Sequence, residues 1–92
     1  MEYDEFKAHE GQSVVIRSAE RQLEGQIASV DSLGGSEGRD RVPFSVLITT
    51  PLDPVLEQGT YQLAVGGGPG MDLFMVPIGP DGELMRYEII FN

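Results

Sequence analysis

The sequence predicts an all-β domain, a small antiparallel six-stranded barrel or sandwich with a short N-terminal helix. Apolar and polar residues alternate with the two-residue period of strands, and turn residues recur about every ten positions. No second stretch is long enough for the helix of a βαβ crossover. The 92 residues suit one domain, 1–92, with a single thin core.

The chain opens with a short helix over residues 3–9. Tyr3 and Phe6 share a face, and acidic residues precede Lys7, which is the order that a helix dipole favours. Two helical turns are unstable alone, so Phe6 is expected to anchor them on the sheet. His9 is expected to cap or pack at the end of this helix.

Two strands follow the helix. Residues 13–17 form the first strand, and residues 21–30 form the second, with Leu23 and Ile27 directed inward. Gly25 lies between them on the same face, where a bulge or a close approach of another strand is expected. The glycine-rich segment 31–41 is predicted to be a loop.

Pro43 opens the third strand, since its missing N–H is tolerated there. This strand covers residues 44–49, and the fourth covers residues 60–65. Inward positions in both strands are expected at Phe44, Val46, Ile48, Tyr61, Leu63 and Val65. The run at 66–70 is predicted to be a plain turn, because a phosphate loop needs a following helix and a nearby base.

The last two strands form a hairpin, residues 73–78 and 85–91, with a turn predicted over Gly79-Pro80-Asp81-Gly82. The second arm alternates, with only Ile90 interrupting its polar side. The chain stops one residue after Phe91, so this strand is expected to be tied into the sheet. The residues expected to share its inner face are Met85, Tyr87, Ile89 and Phe91.

The first arm of the hairpin is apolar on both faces and needs cover on both. Its residues form the possible interface: Leu73, Phe74, Met75, Val76 and Ile78. The aromatic residues at strand positions are nevertheless expected to be core: Phe44, Tyr61, Phe74, Tyr87 and Phe91.

Charge and composition exclude several classes of partner and site. The formal net charge is −9, which disfavours nucleic acid and anionic membranes. Cysteine is absent, so there are no disulfides and no thiolate sites. The N-terminus lacks the pattern of a signal peptide, and no apolar run reaches the roughly 18 residues of a membrane span. A cytoplasmic location is therefore expected.

No residue pattern indicates catalysis, a metal or a cofactor. His9 is the sole histidine, so no multi-His site can form within one chain. Asp31, Glu37 and Asp40 lie in a glycine-rich segment, but their spacing does not match a calcium loop. These acids are expected to be solvated.

Several separated motifs resemble a family of short bacterial proteins of unknown function. They are Phe6, His9 and Gly11, then Pro43-Phe44-Ser45, Gln58-Gly59-Thr60-Tyr61, Leu73-Phe74-Met75-Val76-Pro77-Ile78-Gly79 and the terminal Tyr87-Glu88-Ile89-Ile90-Phe91-Asn92. The resemblance is strongest from Pro43 onward and weakest over residues 18–41. It implies no activity and an association with genes for phage-tail-like or fibre proteins. The Gly66-Gly67-Gly68 run departs from the family, which has an ordinary turn there.

The leading hypothesis is a non-enzymatic structural or assembly module. It would bind another protein or its own copies through a strand edge or a two-faced strand. An alternative is a module that binds a small ligand or a carbohydrate with the barrel mouth and the 31–41 and 66–70 loops. A third reading is an acidic mimic of nucleic acid, which requires the acids to gather on one face.

Overall fold

The computed structural model describes residues 3–34 and 43–92, which form a closed barrel of six antiparallel strands and one short helix. This confirms the predicted fold class and identifies the barrel rather than the sandwich. The elements are α1 (Tyr3–Lys7), β1 (Ser13–Arg17), β2 (Gln22–Ser32), β3 (Phe44–Pro51), β4 (Gly59–Val65), β5 (Gly70–Asp81) and β6 (Leu84–Phe91).

The strands follow one another around the barrel in the order β1-β2-β3-β6-β5-β4, and β4 pairs with β1 to close it. The β1-β2-β3 meander with β4 beside β1 has the order of a Greek key. Residues 52–58 make the connection from β3 to β4. The ring closes, but β2 extends past its ladder with β1, which ends at Gln26, and β5 extends past its ladder with β4, which ends at Met75. The strand-edge mode of binding expected from the sequence therefore stays a prediction. The outer face remains available.

The observed strands extend several predicted ones. β1 has the predicted bounds, whereas β2 continues to Ser32 and β3 to Pro51. Asp31 therefore belongs to a strand and not to the predicted 31–41 loop. Residues 35–41 of that loop, including Glu37 and Asp40, lie outside the described residues.

Alternating side chains fill the barrel interior, as the strand period predicts. In β3 the predicted Phe44, Val46 and Ile48 are all buried, and burial of each large apolar side chain contributes roughly 1.5–3 kcal/mol. In β4, Leu63 is buried and Tyr61 packs partly buried against the core. The other buried apolar residues are Phe6, Val14, Ile16, Leu23, Ile27, Val30, Leu56, Met75, Met85, Tyr87 and Ile89.

A cluster of aromatic rings lies where β3 begins and β6 ends. The Phe44 and Phe91 rings stack with centroids 4.5 Å apart, and Phe6 of α1 lies 5.0 Å from Phe91. The Tyr3 and Phe44 rings form a T-shaped contact with their centroids 5.7 Å apart. These contacts confirm that Phe6 anchors the helix on the sheet.

The segment between β3 and β4 is held by a buried hydrogen bond. The backbone N–H of Leu56 donates to the Tyr87 hydroxyl at 2.9 Å, with both groups buried. The Tyr61 hydroxyl donates to the Glu57 carbonyl at 2.6 Å in a more exposed position. Two tyrosines thus fasten the same segment to the barrel.

The hairpin turn lies two residues beyond its predicted position. β5 continues through Pro80 and Asp81, and the turn consists of Gly82 and Glu83. Gly82 has φ +64°, which fits the positive φ that a type II′ hairpin turn needs at its first central residue. Pro80 is accommodated because β5 pairs with β4 only up to Met75, so at Pro80 it pairs with β6 alone, and edge positions tolerate proline.

Gly25 is required by close packing between β2 and β3. It is buried, and a Cβ there would lie 2.7 Å from the Thr49 carbonyl oxygen. The predicted close approach of another strand is confirmed. The bulge in β2 lies further along, between Ile27 and Ser29.

Candidate interaction surface

The two faces of β5 have different surroundings. Met75 is fully buried and Leu73 packs partly buried against the core. On the outer face, Phe74 is 54% exposed, Ile78 is 39% exposed and Val76 is half-buried. The barrel thus covers one side of this strand, and the five predicted interface residues divide between the two sides. Phe74 is the one aromatic residue for which the core prediction was wrong.

The exposed side chains of β5 have apolar neighbours on adjacent strands. Val76 pairs with Glu88 of β6, which pairs with the half-buried Leu47 of β3. The β5–β6 ladder ends at the pair of Val76 and Glu88. Beyond it, Phe74 continues on β5 and Ile90 on β6, both on the outward side, and Ile90 is 47% exposed. We call Leu47, Phe74, Val76, Ile78 and Ile90 the outer apolar face.

Two opposite charges lie within this face on β6. Arg86 and Glu88 are both half-buried on the outward side of the strand. The Arg86 Nε donates to the Gly79 carbonyl at 3.2 Å, which orients the guanidinium across the β5–β6 pair. An apolar patch that contains few charges is typical of the centre of a protein interface.

The sequence pattern located only part of this surface. It indicated β5, because both faces of that strand are apolar. Ile90 was visible as the single interruption of the polar side of β6, whereas Leu47 was hidden in an apolar run. Their juxtaposition depends on the pairing of β3 with β6, which joins residues more than 30 positions apart and has no local signature.

Two of the open clefts of the described barrel lie away from this face. The first, about 470 Å³, is lined by Tyr61, Arg21 and residues of the β1–β2 and β3–β4 connections. The second, about 450 Å³, is lined by His9, Met71 and residues of the 66–70 loop. The His9 Nδ1 lies 3.0 Å from the Gln12 Oε1, consistent with a packing role for this histidine. Both volumes lie in the range of small-molecule pockets.

The first cleft combines an aromatic ring with charged side chains. Burial and the neighbouring Glu57 charge raise the pKa of the Tyr61 hydroxyl, so this group remains a neutral donor. The hydroxyl already donates a hydrogen bond to the Glu57 backbone carbonyl. The ring of Tyr61 is therefore the main surface that this residue offers to a ligand. Within residues 3–34 and 43–92, no cluster of three or more His, Cys, Asp or Glu could hold a metal ion.

The fold and this surface together define a closed β-barrel domain with an apolar exterior face. A family model described as a domain of unknown function, DUF6916, matches residues 1–91. The chain therefore belongs to that family. No curated protein and no solved structure matches the chain. Among the described residues, no helix has the length and apolar character needed to cross a bilayer.

Proposed function

We propose that this protein is a non-enzymatic assembly module whose outer apolar face binds another protein or further copies of the same chain. The observation that carries the proposal is the exposure of Phe74, Ile78 and Ile90 on two adjacent strands. The barrel interior is already filled on the other side of the same strands. These side chains therefore contribute nothing to the core and keep apolar area in water.

The apolar character of the face suits the centre of an interface. An exposed apolar patch of a few hundred Å² is often functional in a small protein. Specific interfaces bury about 800 Å² on each partner, with an apolar centre and a polar rim. Thr60 of β4 and Asp72 of β5 flank the face. Both are exposed and would contribute to that rim.

The experiment compares two variants in which the altered side chains have similar exposure. Phe74→Asp places a charge in the outer apolar face, whereas Val55→Asp places it at a residue that is 56% exposed outside the face. Association is measured by light scattering of the pure protein and by affinity capture from source cells. We expect the wild type and Val55→Asp to associate with the same species and Phe74→Asp to lose them. Unchanged association of Phe74→Asp, or a wild type that binds nothing, would overturn the proposal.

The proposal extends to the cellular setting. The protein acts in the cytoplasm of a bacterium, and the resemblance in residues 43–92 supports a partner from a phage-tail-like or fibre assembly. Co-expression with the products of neighbouring genes tests this setting. A stable complex that Phe74→Asp abolishes would support it, and capture of unrelated partners alone would contradict it.

A second candidate is the binding of a carbohydrate or small ligand in the cleft beside Tyr61. The support for it is a tyrosine ring facing an opening of about 470 Å³ that Arg21 also lines. Aromatic rings with a few polar groups are common in ligand sites. Glycan-array binding that Tyr61→Ala removes would favour this function, and an array without binding would dismiss carbohydrates as the ligand.

A further inference from the structure

We propose that the outer apolar face binds a second copy of this chain, in a symmetric dimer with the two β6 strands antiparallel across the interface. The inference rests on the proposed function and specifies its partner. Its starting point is the order of the outward-facing residues along one strand, which has an internal symmetry of its own.

The outward residues of β6 read Leu84, Arg86, Glu88 and Ile90, since Met85, Tyr87 and Ile89 are buried between them. The order is apolar, positive, negative, apolar. A two-fold axis across the strand at Tyr87 places Leu84 on Ile90 of the other copy and Arg86 on Glu88. In a symmetric dimer each such contact occurs twice, so every charge meets its opposite.

The neighbouring strands follow the same symmetry. Tyr87 pairs with Ile48 of β3, so the axis places Leu47 against Thr49 of the other copy. Tyr87 also pairs with Pro77 of β5, which places Val76 at the level of Ile78 and Gly79. The residues nearest the axis on both sides of the central strand are thus uncharged, and Asp81 of β5, which pairs with Leu84, lies farther from the axis.

The other possible two-fold axis is disfavoured by the same residues. An axis parallel to β6 would superimpose Arg86 on Arg86 and Glu88 on Glu88. Like charges brought together at an interface are costly. The charge order therefore selects the antiparallel arrangement.

Arg86 and Glu88 can each form an ionic contact with a second copy. Of the described residues, the pair in salt-bridge contact is Lys7 with Glu10, so Arg86 and Glu88 have no ionic partner among them. Arg86 uses Nε for the Gly79 carbonyl, and its guanidinium has further N–H donors. At physiological ionic strength the Debye length is about 8 Å. The repulsion between two chains of net charge −9 is therefore largely screened beyond this distance, whereas pairs in contact are screened much less.

The exterior of a barrel is convex, which limits the contact to β6 and the adjoining parts of β3 and β5. The buried area is therefore expected to fall below the roughly 800 Å² per partner of a standard interface. Such a dimer is weak and depends on concentration. It is measured by sedimentation from about 10 µM to 1 mM, where Kd values of this range are resolved.

Charge reversal gives the main test. Arg86→Glu alone and Glu88→Arg alone should each weaken the dimer by at least about tenfold, because each creates two like-charge contacts. Arg86→Glu with Glu88→Arg in one chain exchanges the pair and should restore dimerisation. A mixture of the two single variants should form a heterodimer, since every opposing pair is then complementary. Melting curves check that each variant is folded.

Cysteine pairing tests the direction of the axis, because the natural chain has no cysteine. Val76→Cys mixed with Ile78→Cys should form an intermolecular disulfide faster than either variant alone. Faster bonding within one variant would contradict the antiparallel axis.

The outcomes separate this inference from the proposed function. A monomeric wild type at about 1 mM, or single reversals that dimerise like the wild type, would overturn the dimer. If Phe74→Asp still abolishes binding of a different protein in that case, the outer apolar face remains a binding surface with another occupant. If no binding of any kind depends on Phe74, both proposals fail.

Discussion

The Glu10 carboxylate accepts a hydrogen bond from the backbone N–H of Val30 at 2.7 Å, across 20 positions of sequence. The Lys7 ammonium donates to the Val30 carbonyl at 3.0 Å and also pairs with Glu10. These contacts lie where β1 no longer accompanies β2, whose ladder with β1 ends at Gln26. The Lys7 and Glu10 side chains thus satisfy the backbone groups of Val30, which a neighbouring strand would satisfy elsewhere in the barrel.

The contact makes the fold sensitive to acid in a defined direction. The hydrogen bond from Val30 and that from Lys7 lower the pKa of the Glu10 carboxyl. A carboxyl whose pKa is lower in the folded state stabilises the fold while ionised, and this contribution is lost as pH falls below about 4.3. We expect Glu10→Gln to be less stable than the wild type at neutral pH, with the difference shrinking below that pH.

Urea unfolding at several pH values measures this difference. Glu20→Gln is a suitable control, because Glu20 is exposed in the β1–β2 turn. A stability difference for Glu10→Gln that stays constant from neutral pH to about pH 3 would show that the carboxylate charge is not the source.

Tyr87→Phe tests the buried hydrogen bond to the β3–β4 connection. Removal of the hydroxyl leaves the buried Leu56 N–H without its partner, and an unsatisfied buried donor costs about 1–3 kcal/mol. Tyr61→Phe removes a more exposed hydroxyl and should cost less. Denaturant unfolding of both variants measures the two losses in the free energy of unfolding. Equal losses would mean that the burial of the hydrogen bond does not determine how much stability it contributes.

Phe91→Ala tests the aromatic cluster between β3, β6 and α1. The ring stacks on Phe44 and contacts Phe6, although it remains partly exposed. We expect a loss of about 3 kcal/mol in the free energy of unfolding, the lower end of the range for Phe to Ala. Ile90→Ala removes an outward side chain and should change it by less than about 0.5 kcal/mol under dilute conditions. An unchanged melting temperature for Phe91→Ala would contradict the assigned packing.

Gly25→Ala tests the close approach of β2 and β3. The added Cβ would lie 2.7 Å from the Thr49 carbonyl oxygen, so the strands must separate, at a cost of about 1–3 kcal/mol. Gly59→Ala is the matched strand control, because its nearest neighbour would be a Tyr61 ring carbon at 3.9 Å. Calorimetry should show a lower Tm for Gly25→Ala only.

Local patterns predicted much of the barrel. Alternation located β1 and the inner faces of β3 and β6, because each residue's direction depends on its immediate neighbours. The hairpin turn was misplaced, because Pro80 and Asp81 carry turn chemistry that a strand paired on one side only can also accommodate. Lys7 was interpreted only as a helix charge and Glu10 was assigned no role, because their contacts with Val30 of β2 join residues 20 or more positions apart.

The outer apolar face was likewise predictable only in part. The apolar excess on β5 was visible in the sequence, since both of its faces lack charge. The register that places Leu47 beside Glu88 is a long-range property of barrel closure. The symmetric charge order along β6 becomes meaningful only once Tyr87 is known to point inward.

Two of the strand pairings around the barrel, which we call the β3–β6 seam and the β1–β4 seam, differ in length. β3 and β6 are joined along their whole length, from Phe44 opposite Phe91 to Pro51 opposite Leu84. β1 and β4 are joined only from Val14 opposite Val65 to Arg17 opposite Gln62. Partial opening of the ring should therefore begin at the shorter seam, and its amide protons should exchange with solvent before those of the β3–β6 seam. The outer apolar face spans the β3–β6 seam, so it would keep its shape while the far side of the ring opens and closes.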